Sequence, residues 1–76
     1  MEEKIIEILN NINPDIMDYD GDNLYDAGII DSMMVIDIVS DIEDEFGIEI
    51  DAELVIAENF ANKDTIINFI TEILEG

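Results

Sequence analysis

The chain has 76 residues, 49% of them apolar, and sets 21 acidic side chains against two cations, Lys4 and Lys63, for a formal charge of −19. It has no Cys and no His, which excludes thiol nucleophiles, disulfides, His general bases and Cys/His metal sites. A field this negative repels nucleic acid and anionic lipid and draws in basic protein surfaces.

A chain of this length is expected to form one domain, residues 1–76, that buries only ~60% of its unfolded surface. Such a core is too thin for a deep catalytic pocket, yet the apolar content is too high for a disordered chain. No apolar run approaches membrane-spanning length, and MEEKIIEILN is acidic where a secretory leader would be basic. With the lack of Cys, this leads us to expect a cytoplasmic protein without membrane insertion, whose first residues belong to the fold. Self-repulsion at this charge predicts a monomer.

Apolar spacing is helical wherever it is regular, and no strand is predicted. The first helix is expected over about Glu2–Asn11, with Met1, Ile5, Ile8, Leu9 and Ile12 on one face and Glu3, Lys4, Glu7, Asn10 and Asn11 on the other. Pro14 stops it. A polar segment follows from Asn13 to Asp31, anchored by Leu24, Tyr25, Ile29 and Ile30; a loop this long in so small a domain is usually functional.

A second helix is predicted from Asp31 or Ser32 to Phe46, closed by Gly47, with Val35, Ile38, Val39, Ile42 and Phe46 as its core stripe. A short turn or helix at Asp51–Val55 and the ENFAN link lead to a last helix over Lys63–Glu75. Its Ile66, Phe69, Ile70, Ile73 and Leu74 face inward, and Asn68, Thr71, Glu72 and Glu75 face water. The predicted fold is therefore all-α, a small bundle of three main helices plus one short one, with a long loop between the first two helices.

Opposite the core stripe of the second helix lie Asp37, Ser40, Asp41 and Asp44, with Met33 and Ile36 on or beside the same face. Periodicity alone leaves two readings open: a docking patch of apolar anchors in an acidic rim, or core residues covered by the long loop. Ser32, where the loop meets the helix, has two readings as well. Its hydroxyl can simply cap the helix. Alternatively it can carry a phosphate ester, favoured by the free N–H groups and dipole of a helix start, with Asp31 taking over the capping. The Asp31 carboxylate is less welcome to a phosphodiester, though it could help to hold Mg²⁺ during a transfer reaction.

The segment Gly28-Ile29-Ile30-Asp31-Ser32-Met33, followed by Asp41-Ile42-Glu43-Asp44-Glu45-Phe46-Gly47-Ile48-Glu49-Ile50 and by Glu58-Asn59-Phe60 before the last helix, resembles the acyl and peptidyl carrier protein family. The resemblance covers essentially the whole chain. It implies a 4′-phosphopantetheine arm, transferred from coenzyme A to Ser32 of the Asp31-Ser32 pair by a separate phosphopantetheinyl transferase. The thiol at the end of the arm would hold acyl or aminoacyl groups as thioesters, so a chain without Cys could serve thiol chemistry. The family's acidic second helix implies that basic-surfaced pathway enzymes, including an acyl- or aminoacyl-loading ligase, dock on Asp37, Asp41 and Asp44, with Met33 and Ile36 as apolar contacts. That implication favours the patch over the covered core.

Where the family usually has Leu after the serine, this chain has Met33, similar in volume and more adaptable. The Gly-Ile-Ile-Asp-Ser turn and Glu58-Asn59-Phe60 look more like stand-alone aminoacyl, D-alanyl or peptidyl carriers, whereas the charge resembles that of carriers in fatty acid biosynthesis.

Three other readings compete with a carrier. Asp18-Tyr19-Asp20-Gly21-Asp22 has the look of an EF-hand loop, but with Gly21 sixth the first and twelfth positions fall on Ile16 and Ala27, where acids are required. A pure acidic interaction module without a covalent group is the alternative to a carrier, and the intact Asp31-Ser32 pair argues against it. An enzyme is rejected, because Ser32 has no His or Lys nearby in sequence to activate it. The expectation is a non-catalytic carrier that is itself a substrate of other enzymes.

Overall fold

The computed structural model describes residues 2–76. Helix α1 spans Glu2–Ile12 and buries Ile5 and Leu9, with Ile8 and Ile12 half-buried beside them. Met1, placed on the inward face from the sequence, lies outside the described residues. The Asn13 N–H still donates to the Leu9 carbonyl at 2.9 Å, so α1 closes just before Pro14.

The polar segment is more ordered than its composition implies. Pro14, with φ −61°, starts a one-turn helix α2 at Asp15–Asp18, which drives Ile16 into the core. A turn of four residues is too short to leave a periodic trace. Further on, the Leu24 N–H donates to the Ala61 carbonyl at 2.7 Å, and Leu24 and Ile30 are buried. Tyr25 and Ile29 are half-buried, so all four predicted anchors pack, two of them fully.

Helix α3, the second of the predicted main helices, runs over Ser32–Phe46. Val35, Ile38 and Ile42 are buried, and Val39 and Phe46 pack half-buried against the core. Gly47 ends it at φ 64°, a left-handed conformation in which a side chain would be strained, and its N–H donates to the Glu43 carbonyl. Two 3-10 turns follow, Ala52–Leu54 and Ala57–Phe60; only the second contributes a buried residue, Phe60. Helix α4, Lys63–Glu75, matches its predicted span and is capped by Asn62, whose side chain accepts from the Thr65 N–H at 2.9 Å. Ile66, Phe69 and Ile70 are buried, Ile73 and Leu74 half-buried.

α1 packs against both α3 and α4, and the ring of Phe69 in α4 meets that of Phe60 edge to face at 5.5 Å and 71°. The architecture is the expected small all-α bundle. Every buried side chain among the described residues is apolar.

Candidate functional site

The site is built at the start of α3. Asp31 has extended backbone, φ −139° and ψ −178°, and its Oδ1 accepts from the Met34 N–H at 2.9 Å. Asp31 is therefore the N-cap, and Ser32 is the first residue inside the helix. Among the described residues the Ser32 hydroxyl enters no hydrogen bond, and the side chain is exposed. Of the donors that a helix start leaves open, the Met34 N–H is taken by Asp31, whereas those of Ser32 and Met33 have no hydrogen-bond partner among the described residues.

The turn that leads into this position is closed on itself. The Ile29 and Ile30 N–H groups both donate to the Leu24 carbonyl, at 3.0 and 3.4 Å, and Gly28 reverses the chain at φ 76°. Burial, and secondarily the Asp31 carboxylate, push the Tyr25 phenol above its ordinary pKa, which places that ring in the field of the site.

Met33 and Ile36 are 75% and 60% exposed, so the loop does not cover them. Asp37, Ser40, Asp41 and Asp44 are exposed as well. At 100° per residue, Ile36 lies roughly 40° around the helix from Ser32, while Asp37 and Asp41 lie roughly 140° and 180° around. Going around the helix from Ser32, the exposed apolar side chains of Ile36 and Met33 thus come first and those of Asp37 and Asp41 after them.

The structure adds two residues that the sequence reading missed. Leu54 and Ile56 are 42% and 45% exposed. They flank Val55, which with Ile36, Val39, Ser40, Glu43, Ile50 and Ala52 lines a shallow apolar groove of about 450 Å³ beside α3. The Asn59 side chain donates to the Leu54 carbonyl at 2.7 Å and fixes the turn that presents them. A lone Leu-Val-Ile in a short non-helical stretch carries no periodicity that could tell inside from outside.

A compact helical bundle that offers an uncommitted serine hydroxyl at a helix start, beside an apolar and acidic face, defines a scaffold for attaching and presenting a group. The residues fit a phosphodiester: Oγ is free, and the helix start leaves the Ser32 and Met33 N–H groups without partners among the described residues. The chain matches the family model described as the phosphopantetheine attachment site over residues 2–70. It belongs to the phosphopantetheine-binding carrier protein family, whose members take 4′-phosphopantetheine covalently.

Among curated proteins it is similar to the D-alanyl carrier protein of Leuconostoc citreum (strain KM20), 36% identical over 50 residues. It is also similar to the D-alanyl carrier protein of Leuconostoc mesenteroides subsp. mesenteroides, 38% identical over 50 residues. Each match spans 64% of this chain and 64% of the relative's length. No solved structure matches the chain. Among the described residues, no helix is long and apolar enough to cross a membrane.

Proposed function

We propose that Ser32 carries the 4′-phosphopantetheine arm and that the domain, residues 1–76, presents aminoacyl groups, D-alanyl foremost, to partner enzymes. The observation that carries this reading is the exposed Ser32 hydroxyl, left free because Asp31 does the capping. The D-alanyl description of both relatives, together with the Gly-Ile-Ile-Asp-Ser turn, weighs for an aminoacyl cargo over the fatty acyl cargo that charge alone favours.

When bound, the arm supplies a terminal thiol that holds the cargo as a thioester. In the attachment step the Ser32 oxygen forms a bond to the pantetheine-side phosphorus of coenzyme A. The pyrophosphate P–O bond breaks, adenosine 3′,5′-bisphosphate leaves with the bonding pair, and the hydroxyl proton passes to a base outside this chain. The chain has no His to take it, and both lysines are engaged elsewhere: Lys63 Nζ donates to the Met17 carbonyl at 3.0 Å, and Lys4 pairs with Glu45 at 3.3 Å. On this reading the domain is the substrate of a separate transferase.

Docking falls to Met33, Ile36, Leu54 and Ile56 as apolar contacts, with Asp37, Asp41 and Asp44 steering a basic partner surface. The test is intact-protein mass spectrometry after incubation with coenzyme A, Mg²⁺ and a broad-specificity phosphopantetheinyl transferase, with Ser32→Ala alongside. A gain of one phosphopantetheine that Ser32→Ala loses is the expected result. No gain by folded protein would leave an acidic interaction module as the better account. Loading of the modified protein by a D-alanine-activating ligase, compared with an acyl-activating one, then decides the cargo.

A further inference from the structure

Asn13 is fixed at the corner between α1 and α2 by every polar group except its side-chain NH2. Its backbone N–H donates to the Leu9 carbonyl at 2.9 Å, its carbonyl accepts from the Ile16 N–H at 3.1 Å, and its Oδ1 accepts from the Asp15 N–H at 3.0 Å. The remaining group, Nδ2, reaches 16 residues along the chain and donates to the Ile29 carbonyl at 3.0 Å, with Met34 Sδ at 3.9 Å. Ile29 stands two residues before the capping Asp31, and Met34 is the residue whose N–H that cap holds. One side chain therefore grips both sides of the Asp31-Ser32 pair.

Both Asp and Ser are strong N-cap residues, and here they are adjacent. A helix that began one residue later would use Ser32 as its cap, and the Ser32 oxygen would then be committed to a backbone N–H. We propose that Asn13 is a positioning residue for Ser32: by tethering Ile29 it selects Asp31 as the cap and keeps the serine hydroxyl free for modification. This inference rests on reading Ser32 as the attachment site. Without the tether the stretch between the Leu24 turn and α3 is held by Ile30 in the core and by the two bonds to the Leu24 carbonyl, the second a long 3.4 Å.

The test compares Asn13→Ala, which loses all three side-chain contacts, with Asn13→Asp, which keeps the acceptor for Asp15 and loses the donor to Ile29 and Met34. Met34→Leu is the control for the weak sulfur contact. Amide hydrogen exchange by NMR is read on the unmodified protein, and transferase kinetics on the same samples. Loss of one hydrogen bond's worth of bias is expected to speed Met34 exchange and to lower kcat for phosphopantetheine transfer by about tenfold in both Asn13 variants. Ile38 and Ile42 exchange and KM should stay unchanged, because the docking face is intact, and Met34→Leu should behave as the parent.

Unchanged Met34 exchange and kcat in Asn13→Asp would overturn the proposal. So would a uniform rise in exchange that includes Ile38 and Ile42, which would reduce Asn13 to a residue of general stability. If the parent protein itself accepted no arm, the reading of Ser32 would fall, and Met34 exchange would still decide whether Asn13 selects the cap.

Discussion

Asp31 and Ser32 divide two tasks that either could perform, and stability measurements can separate them. Because the Asp31 carboxylate holds the Met34 N–H, Asp31→Ala should cost about 1 kcal/mol in chemical denaturation. Ser32→Ala removes an exposed hydroxyl without a partner and should stay within about 0.5 kcal/mol of the parent. The reverse order would make Ser32 the cap and would contradict the free hydroxyl on which the proposed function rests. Tyr25 gives a second expectation at this scale. Its phenol is raised above its ordinary value first by burial and then by Asp31, so around and above pH 10 the folded chain binds more protons than the unfolded one. The resulting stability is full below the ordinary tyrosine value and is lost as pH rises through the folded value. The denaturation midpoint should therefore fall on the alkaline side, and Tyr25→Phe should flatten that fall; a slope unchanged in Tyr25→Phe would overturn its assignment to Tyr25.

Among the elements, those with the longest periodic pattern were the ones legible from sequence. α3 and α4 each carry an apolar stripe over three turns or more, a polar cap and, for α3, a left-handed Gly47, and their spans follow from these residues. The one-turn α2 was not legible, since Pro14-Asp15-Ile16 reads equally as a turn, and only the tertiary position of Ile16 makes it core. Met33 and Ile36 show the same limit from the other side: their spacing fits either a covered or an open face, and only the observed path of the loop leaves them open. Leu54 and Ile56 were invisible as surface, because their exposure comes from the turn that Asn59 holds. Their role is open to a direct check. The double variant Leu54→Ser/Ile56→Ser removes apolar area that is already partly in water, so its stability loss should stay near 1 kcal/mol. Its KM for a loading ligase should rise with kcat little changed, as expected for lost uniform binding. An unchanged KM would confine docking to α3.

For the whole molecule the deciding quantity is the charge density. A chain of net charge −19 is folded into 30 × 25 × 19 Å with a radius of gyration of 11.2 Å. Neither cation offsets much of this: Lys4 sits in an exposed pair with Glu45, and the Lys63 ammonium is directed at a backbone carbonyl. At 0.01 M salt the Debye length, about 30 Å, spans the molecule and every carboxylate feels the others; at 0.15 M it is about 8 Å, and at 1 M about 3 Å. Unfolding moves these charges apart, so repulsion weighs on the folded state most heavily at low salt. The melting temperature should therefore rise steeply between 0.01 and 0.15 M NaCl and level off toward 1 M. In a domain of this size each 1 kcal/mol of relief should add roughly 4–8 °C. Divalent cations should act at lower ionic strength than NaCl, because they concentrate more strongly around the clustered carboxylates. The same screening should slow association with a basic partner, so salt that stabilises the carrier should lower kcat/KM for its modification. A scan of both quantities over one salt series checks the linkage. A melting temperature flat in ionic strength would mean that the unfolded chain is as compactly repulsive as the folded one, and a kcat/KM flat in ionic strength would remove the acidic face of α3 from partner capture.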